Sequence, residues 1–229
     1  FEGSDVRLME RLRLLVGGPI SEWPEELAKG TLAGPWAAAD RGAHRLLALG
    51  HVPVLTVGDF DSMTPSEREQ TLAQLPRVVS AKPEKDETDT ELLLDIVERE
   101  LQPDLIEIYG ATGGRIDQLL SNIWIFTQPR FQQLATKVIL IDRTNRVSFY
   151  LPGTHAITHT PGMNYLGFMP LTPVTGLTLI DEKYKLTNWQ GNPFSFSSNE
   201  FDGDVNHFSF ESGMVAVIES RDLTGQTGD

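Results

Sequence analysis

The stretch VPVLTVGDFDSM, residues 52–63, is where the reading of this chain begins. Its continuous, β-branched apolar run suits a strand covered on both faces, and such strands belong to parallel sheets flanked by helices. The run gives out at Gly58, and Asp59 and Asp61 follow one residue apart. Two carboxylates this close repel each other, so the spot is either a solvated turn or a place where a cation is held.

The same alternation extends in both directions. RLRLLVGG (11–18) reads as a first strand ending in glycines, and WAAAD (36–40) is short and apolar. RGAHRLLALG (41–50) has the helical spacing Ala43, Leu46, Leu47 and closes on Gly50, a C-cap residue. TPSEREQTLAQL (64–75) opens on Thr–Pro with Glu67 three residues after Thr64, the pattern of a capping box. RVVSA (77–81), DLIEIYG (104–110) and KVILID (137–142) read as strands, and RIDQLLSNIWIFTQ (115–128) as a helix. DTELLLDIVEREL (89–101) is an amphipathic helix with Leu92, Leu93, Ile96 and Val97 on one face. Residues 9–150 are therefore expected to form an α/β domain, a mostly parallel sheet covered by helices.

After Leu151 the texture changes to Pro, Gly and Thr with short alternating runs, so residues 151–229 are expected to form a smaller all-β domain. Within it, HFSFESGMVAVIES (207–220) reads as a hairpin turning at Ser212 and Gly213. The first eight residues, FEGSDVRL, read as an appended or disordered extension, and the last six are expected to fray.

Composition narrows the function. A hydrophobic share of 40% and a charged share of 22% over 229 residues are ordinary for a soluble globular protein. No apolar run approaches the length of about 18 residues that a membrane span needs. The chain has no cysteine, which removes disulfides and thiolate metal sites and fits a cytoplasmic location. The net charge of −13 argues against a nucleic-acid partner. A small anionic ligand is still compatible, provided the site supplies cations, backbone N–H groups or a metal.

Four clusters fall at strand ends or helix starts, where ligands sit in open parallel sheets: Asp40; Asp59 with Asp61; Lys85, Asp86, Thr88 and Asp89; and the loop YGATGGRID. Hard oxygen donors without cysteine point to Mg²⁺, which keeps waters and bridges to phosphates. Gly110, Gly113 and Gly114 permit close backbone approach, and Arg115 at the following helix start offers a bidentate contact to phosphate. Each piece has a plainer reading: a solvated turn at Asp59, a helix cap at Asp40, Asp86 or Thr88, a tight turn at the glycines, and a surface ion pair between Arg115 and Asp117. Their shared side of the sheet favours a Mg-bound polyphosphate.

The ordered blocks ADRGA, VGDFDS, KDETDTELLL and GATGGRIDQLLSNI, followed by TGLTLIDEKYKLTN and SSNEF, resemble those of the thiamine pyrophosphokinase family. The resemblance runs from about Leu12 to Arg221. It implies transfer of the terminal diphosphate of ATP to the hydroxyethyl oxygen of thiamine, with AMP released. It also implies Mg²⁺, a homodimer, and a C-terminal β-sandwich for thiamine binding and dimerisation. Carried over residue by residue, it assigns Asp40, Lys85, Asp86, Thr88, Gly110, Gly113, Gly114, Arg115 and Asn122 to ATP. Metal falls to Asp59, Asp61 and Asp89, with Arg115 and Asp117 beside them in catalysis. Lys85 and Arg115 would neutralise charge, and Asp117 or Asp89 would accept the hydroxyl proton. Tyr184, Ser198 and Asn199 are assigned to thiamine, although Tyr184 reads equally well as a core residue. The chain departs from the family's usual residues at Arg41, where a small residue is common, and at Gln118, where many bacterial members carry His.

Two rivals compete with this reading. A phosphatase of the haloacid dehalogenase type would use the strand and D-x-D of VPVLTVGDFDS, but a later lysine and paired-acid motif do not follow. A nucleotide-sensing module without catalysis would bind ATP and turn over nothing.

Overall fold

The computed structural model describes residues 9–61, 63–80 and 87–223. Lys85, Asp86 and the two terminal extensions therefore lie outside the described residues. By contacts the chain divides into two compact units, residues 1–122 and 123–229.

The first unit alternates strand and helix: β1 (Arg11–Leu15), α1 (Glu25–Ala28), β2 (Trp36–Ala39), α2 (Arg41–Ala48), β3 (Leu55–Val57), α3 (Pro65–Leu72), β4 (Val78–Val79), α4 (Asp89–Ile96) and β5 (Leu105–Tyr109). Its strands run in the order β5-β1-β2-β3-β4, every neighbour parallel. Leu12, Leu14, Ala37, Val57 and Ile106 are all buried, as strands sandwiched between helices require. The run beginning at Val52 pairs only from Leu55, because Pro53 has no N–H to offer a ladder, and Val52 and Val54 stay exposed. Thr64 caps α3 and Thr88 caps α4, each through a reciprocal box with the glutamate three residues on. The buried stripe of α4 is Leu93, Leu94 and Ile96, continued by Val97 in the turn that follows, with Leu92 half-buried at its edge. A further helix, α5 (Ile116–Trp124), follows β5.

Among the described residues the second unit holds α6 (Gln132–Ala135) and nine strands: β6 (Val138–Ile141), β7 (Asn145–Tyr150), β8 (Gly153–Thr158), β9 (Tyr165–Pro170), β10 (Val174–Leu179), β11 (Leu186–Gly191), β12 (Phe196–Glu200), β13 (Val205–Phe210) and β14 (Val215–Ser220). One antiparallel set runs β12-β9-β14-β7-β6 and the other β11-β10-β13-β8. Between them lies one apolar core, with Leu166, Phe168, Val215 and Val217 from the first set and Leu177, Leu179, Phe208 and Phe210 from the second. This is a β-sandwich. By contacts β6, the strand of KVILID, falls in this unit, where it pairs antiparallel with β7.

The hairpin expected over residues 207–220 does not form. β13 pairs with β8 and β10, whereas β14 pairs with β7 and β9, so the chain crosses from one sheet to the other between them. Phe208 and Phe210 enter the core from one sheet and Val215 and Val217 from the other. No helix among the described residues is long and apolar enough to cross a membrane.

Candidate active site

At the carboxyl ends of β1, β2 and β5 lies a cavity of about 420 Å³, lined by Gly17, Gly18, Asp40, Gly110, Gly113 and Arg115 among others. Two glycine-bearing loops build its floor through main-chain contacts. The N–H of Val16 donates to the Tyr109 carbonyl at 3.0 Å, and the N–H of Gly18 donates to the Gly110 carbonyl at 2.7 Å. Gly110 has a φ of 76°, and a Cβ there would come within 2.4 Å of the Val16 carbonyl oxygen, so no other residue fits. Asn122, assigned to the nucleotide, spends its amide on the Ala111 carbonyl at 2.9 Å and so pins the second loop.

Asp40 ends β2 with a φ of 48° and a ψ of −127°, and its side chain does not cap α2. It is hydrogen-bonded to Asp89, at the start of α4, and feels the charge of Asp59. Burial, then Asp89, then Asp59 push its carboxyl up to about 7. The plain capping role is therefore replaced by membership of an acidic cluster. A carboxyl pushed up by its acidic neighbours marks a place short of positive charge, and a hard divalent cation fits such a donor set. Among the described residues, no three acidic or histidine side chains are gathered closely enough to hold an ion by themselves.

The D-F-D stretch has a built-in orientation. Phe60 adopts a φ of 59° and is 3% exposed, so its ring enters the core while Asp59 and Asp61 remain exposed on either side. The N–H of Asp61 donates to Asp59 Oδ1 at 3.0 Å, and Asp61 Oδ1 lies 3.8 Å from Arg68 Nη1. Arg115 donates to Asp117 through Nε at 3.1 Å and Nη2 at 2.5 Å. This pairing holds the Asp117 carboxyl below the usual carboxylate range and makes it a weak base. Thr88 serves α4 as its cap. The structure thus pairs Asp40 with Asp89 within reach of the charge of Asp59, and brings Gly110, Gly113, Gly114 and Arg115 to the same cavity as Asp40.

Lining residues that the sequence reading did not assign to the site include Gly17, Gly18, Pro19, Thr90 and Gln118. The double glycine after the first strand carried the same signal as the GATGG loop and was the readable one. Thr90 had no signal beyond following Asp89.

In the second unit, Tyr184, Lys185, Leu186, Phe196 and Ser198 border a cavity of about 410 Å³. Tyr184 is 56% exposed, so it does not fill the core. Asn199 is buried and clamps it: Tyr184 N–H donates to Asn199 Oδ1 at 3.0 Å, and Asn199 Nδ2 donates to the Tyr184 carbonyl at 2.8 Å. Ser198, with a φ of 62°, borders this cavity and a neighbouring one of about 400 Å³ beside Tyr165 and Met169. Lys183 lies 5.4 Å from the centre of the Tyr184 ring. Glu182 is fully buried; one oxygen accepts the Asp181 N–H at 3.2 Å, the other has no protein partner among the described residues, and burial pushes its carboxyl up to about 7.

The comparisons with known proteins agree with this geometry. The family model for the thiamin pyrophosphokinase catalytic domain matches residues 32–140, and that for the vitamin B1 binding domain matches residues 154–215. The chain is 34% identical to the thiamine pyrophosphokinase of Bacillus subtilis over 218 residues, 93% of this chain and all of that one. A crystal structure of a Lactobacillus plantarum protein is 47% identical, with a TM-score of 0.86 over 93% of this chain and 99% of the other. The structure of a thiamin pyrophosphokinase family protein from Enterococcus faecalis is 40% identical, with a TM-score of 0.84 over 93% and 100%. Neither rival reading, phosphatase or sensing module, is favoured by these matches. The chain belongs to the thiamine pyrophosphokinase family, whose members make thiamine diphosphate from thiamine and ATP.

Proposed function

We propose that the glycine-lined cavity of residues 1–122 holds the phosphates of ATP and that Tyr184 and Ser198 border the thiamine subsite. The observation that carries this is the meeting of Asp40, Asp89 and Asp59 beside a cavity floored by main chain and edged by Arg115. Asp59, Asp61 and Asp89 would hold Mg²⁺, with phosphate oxygens and water completing its shell. When bound, the ion neutralises charge on the phosphates. Arg115 stabilises charge on the transferred diphosphate, and Lys85 is assigned the same task from the family resemblance. The thiamine hydroxyl oxygen attacks the β-phosphorus, the bond from that phosphorus to the bridging oxygen of AMP breaks, and AMP leaves with the electron pair. The hydroxyl proton passes to a carboxylate of the acidic cluster. Asn199 acts by holding Tyr184, whose ring offers a face to the cationic thiazolium.

A homodimer accords with α5, where Ile116, Leu120 and Trp124 recur at helical spacing and stay 71%, 43% and 43% exposed. Sedimentation of the purified chain checks this, and a monomer at micromolar concentration speaks against it. The reaction is tested by incubating the protein with ATP, Mg²⁺ and thiamine and weighing the products. Thiamine diphosphate with equimolar AMP is the expected outcome; free phosphate alone would point to hydrolysis.

A further inference from the structure

Behind the cavity floor sits a guanidinium that does not line the cavity. Arg45, on the second turn of α2, donates from Nη1 to the Gly18 carbonyl at 2.7 Å and more weakly to the Gly17 carbonyl at 3.4 Å. It reaches them because α2 lies close against the end of β1: a Cβ at Gly42 would come within 2.1 Å of the Leu15 carbonyl oxygen. The loop is therefore held from two sides, by Gly110 through the Gly18 N–H and by Arg45 through the carbonyls.

These carbonyls matter for an anion. Turned toward the cavity, they would face phosphate oxygens with like partial charge. Drawn toward α2, they leave the cavity side free for a polyphosphate, and a permanent positive charge stands behind the loop. In a chain with a net charge of −13, that placement also offsets the unfavourable overall field felt by an incoming nucleotide.

We infer that Arg45 is a positioning residue of the nucleotide site: by holding the Gly17 and Gly18 carbonyls against α2, it sets affinity for a nucleoside triphosphate without touching it. This rests on the cavity being the ATP site. Nothing in the family resemblance assigns Arg45 a role.

Steady-state kinetics on the full chain test it, varying ATP at saturating thiamine and the reverse, for wild type, Arg45→Met, Arg45→Gln and Arg45→Lys. The loss of one charge-assisted hydrogen bond should raise the KM for ATP about tenfold in Arg45→Met. The kcat and the KM for thiamine stay within about twofold, since neither the acidic cluster nor Tyr184 depends on this contact. Arg45→Lys, which keeps the charge, falls between wild type and Met, and Arg45→Gln separates hydrogen bonding from charge. Titration of the same variants with ATP and Mg²⁺ in a calorimeter should show the same weakening. An unchanged KM for ATP, or equal falls in activity for both substrates that track loss of folded protein, overturns the inference. A wild-type protein that makes no thiamine diphosphate defeats the functional reading instead, so the two failures are told apart.

Discussion

Around the cavity of residues 1–122, loops meet through main-chain atoms, Gly18 N–H on Gly110 and Arg45 on two carbonyls, whereas around Tyr184 a single side-chain amide does the holding. The first arrangement tolerates no added atom, because its partners are peptide groups that cannot step aside. The second depends on one residue being able to donate and accept at once. On the proposed reading, a site for phosphate is made of backbone, where N–H donors are fixed in place, and a site for a flat organic cation is made of ring faces that must be aimed.

The comparison breaks first at Gly110. Gly110→Ala imposes a left-handed backbone on a residue with a Cβ and drives it into the Val16 carbonyl, so it should destabilise the fold by about 4 kcal/mol. Urea denaturation checks this; a loss below about 1 kcal/mol would show the two loops to be soft. Asp59→Asn, on an exposed side chain, should leave the melting midpoint nearly unchanged while kcat falls by about a hundredfold, near 3 kcal/mol of transition-state stabilisation. Near-normal turnover would remove Asp59 from the metal assignment. Asn199→Ala leaves the Tyr184 N–H and carbonyl without their partner and should cost about 2 kcal/mol. It should also raise the KM for thiamine several-fold more than that for ATP, and the opposite ratio would dissolve the contrast between the two sites.

Glu182 gives the smallest effect and a sign that depends on pH. Its carboxyl stands at about 7 in the folded protein against 4.5 as the ordinary value. Between those values unfolding releases a proton, so stability falls as pH rises through the window and levels off above it. Glu182→Gln should therefore raise stability by roughly 1 to 2 kcal/mol at pH 8 and change little at pH 4. Melting curves at both pH values decide it; parallel pH profiles for the two proteins would remove the buried charge from consideration.

The sheet of the first unit was readable because its strands are apolar on both faces and their ends carry Asp or Gly, residue types with few other reasons to follow such runs. The acidic cluster was readable for the same cause, as was the capping of α3 at Thr64. Phe60 was not, because its inward turn depends on a core that no local pattern reveals. The Ser212–Gly213 hairpin misled, since turn chemistry is local while the choice of sheet belongs to Phe208, Phe210, Val215 and Val217 packing across the sandwich. The clamp of Asn199 on Tyr184 was not readable, because the two lie fifteen residues apart on different segments. The burial of Glu182 was not readable from its run of charges.

Phe60 also bears on how readily the protein is made ready for its substrates. With its ring sunk in the core, the short loop carrying Asp59 and Asp61 is moored from beneath, and the spacing of the two carboxylates is settled when the chain folds. The loss of conformational freedom that an arriving ion would otherwise impose on that loop has already been incurred. If the proposed ion binds there, its capture needs no rearrangement, and the aromatic letter between two acids becomes a device of preorganisation.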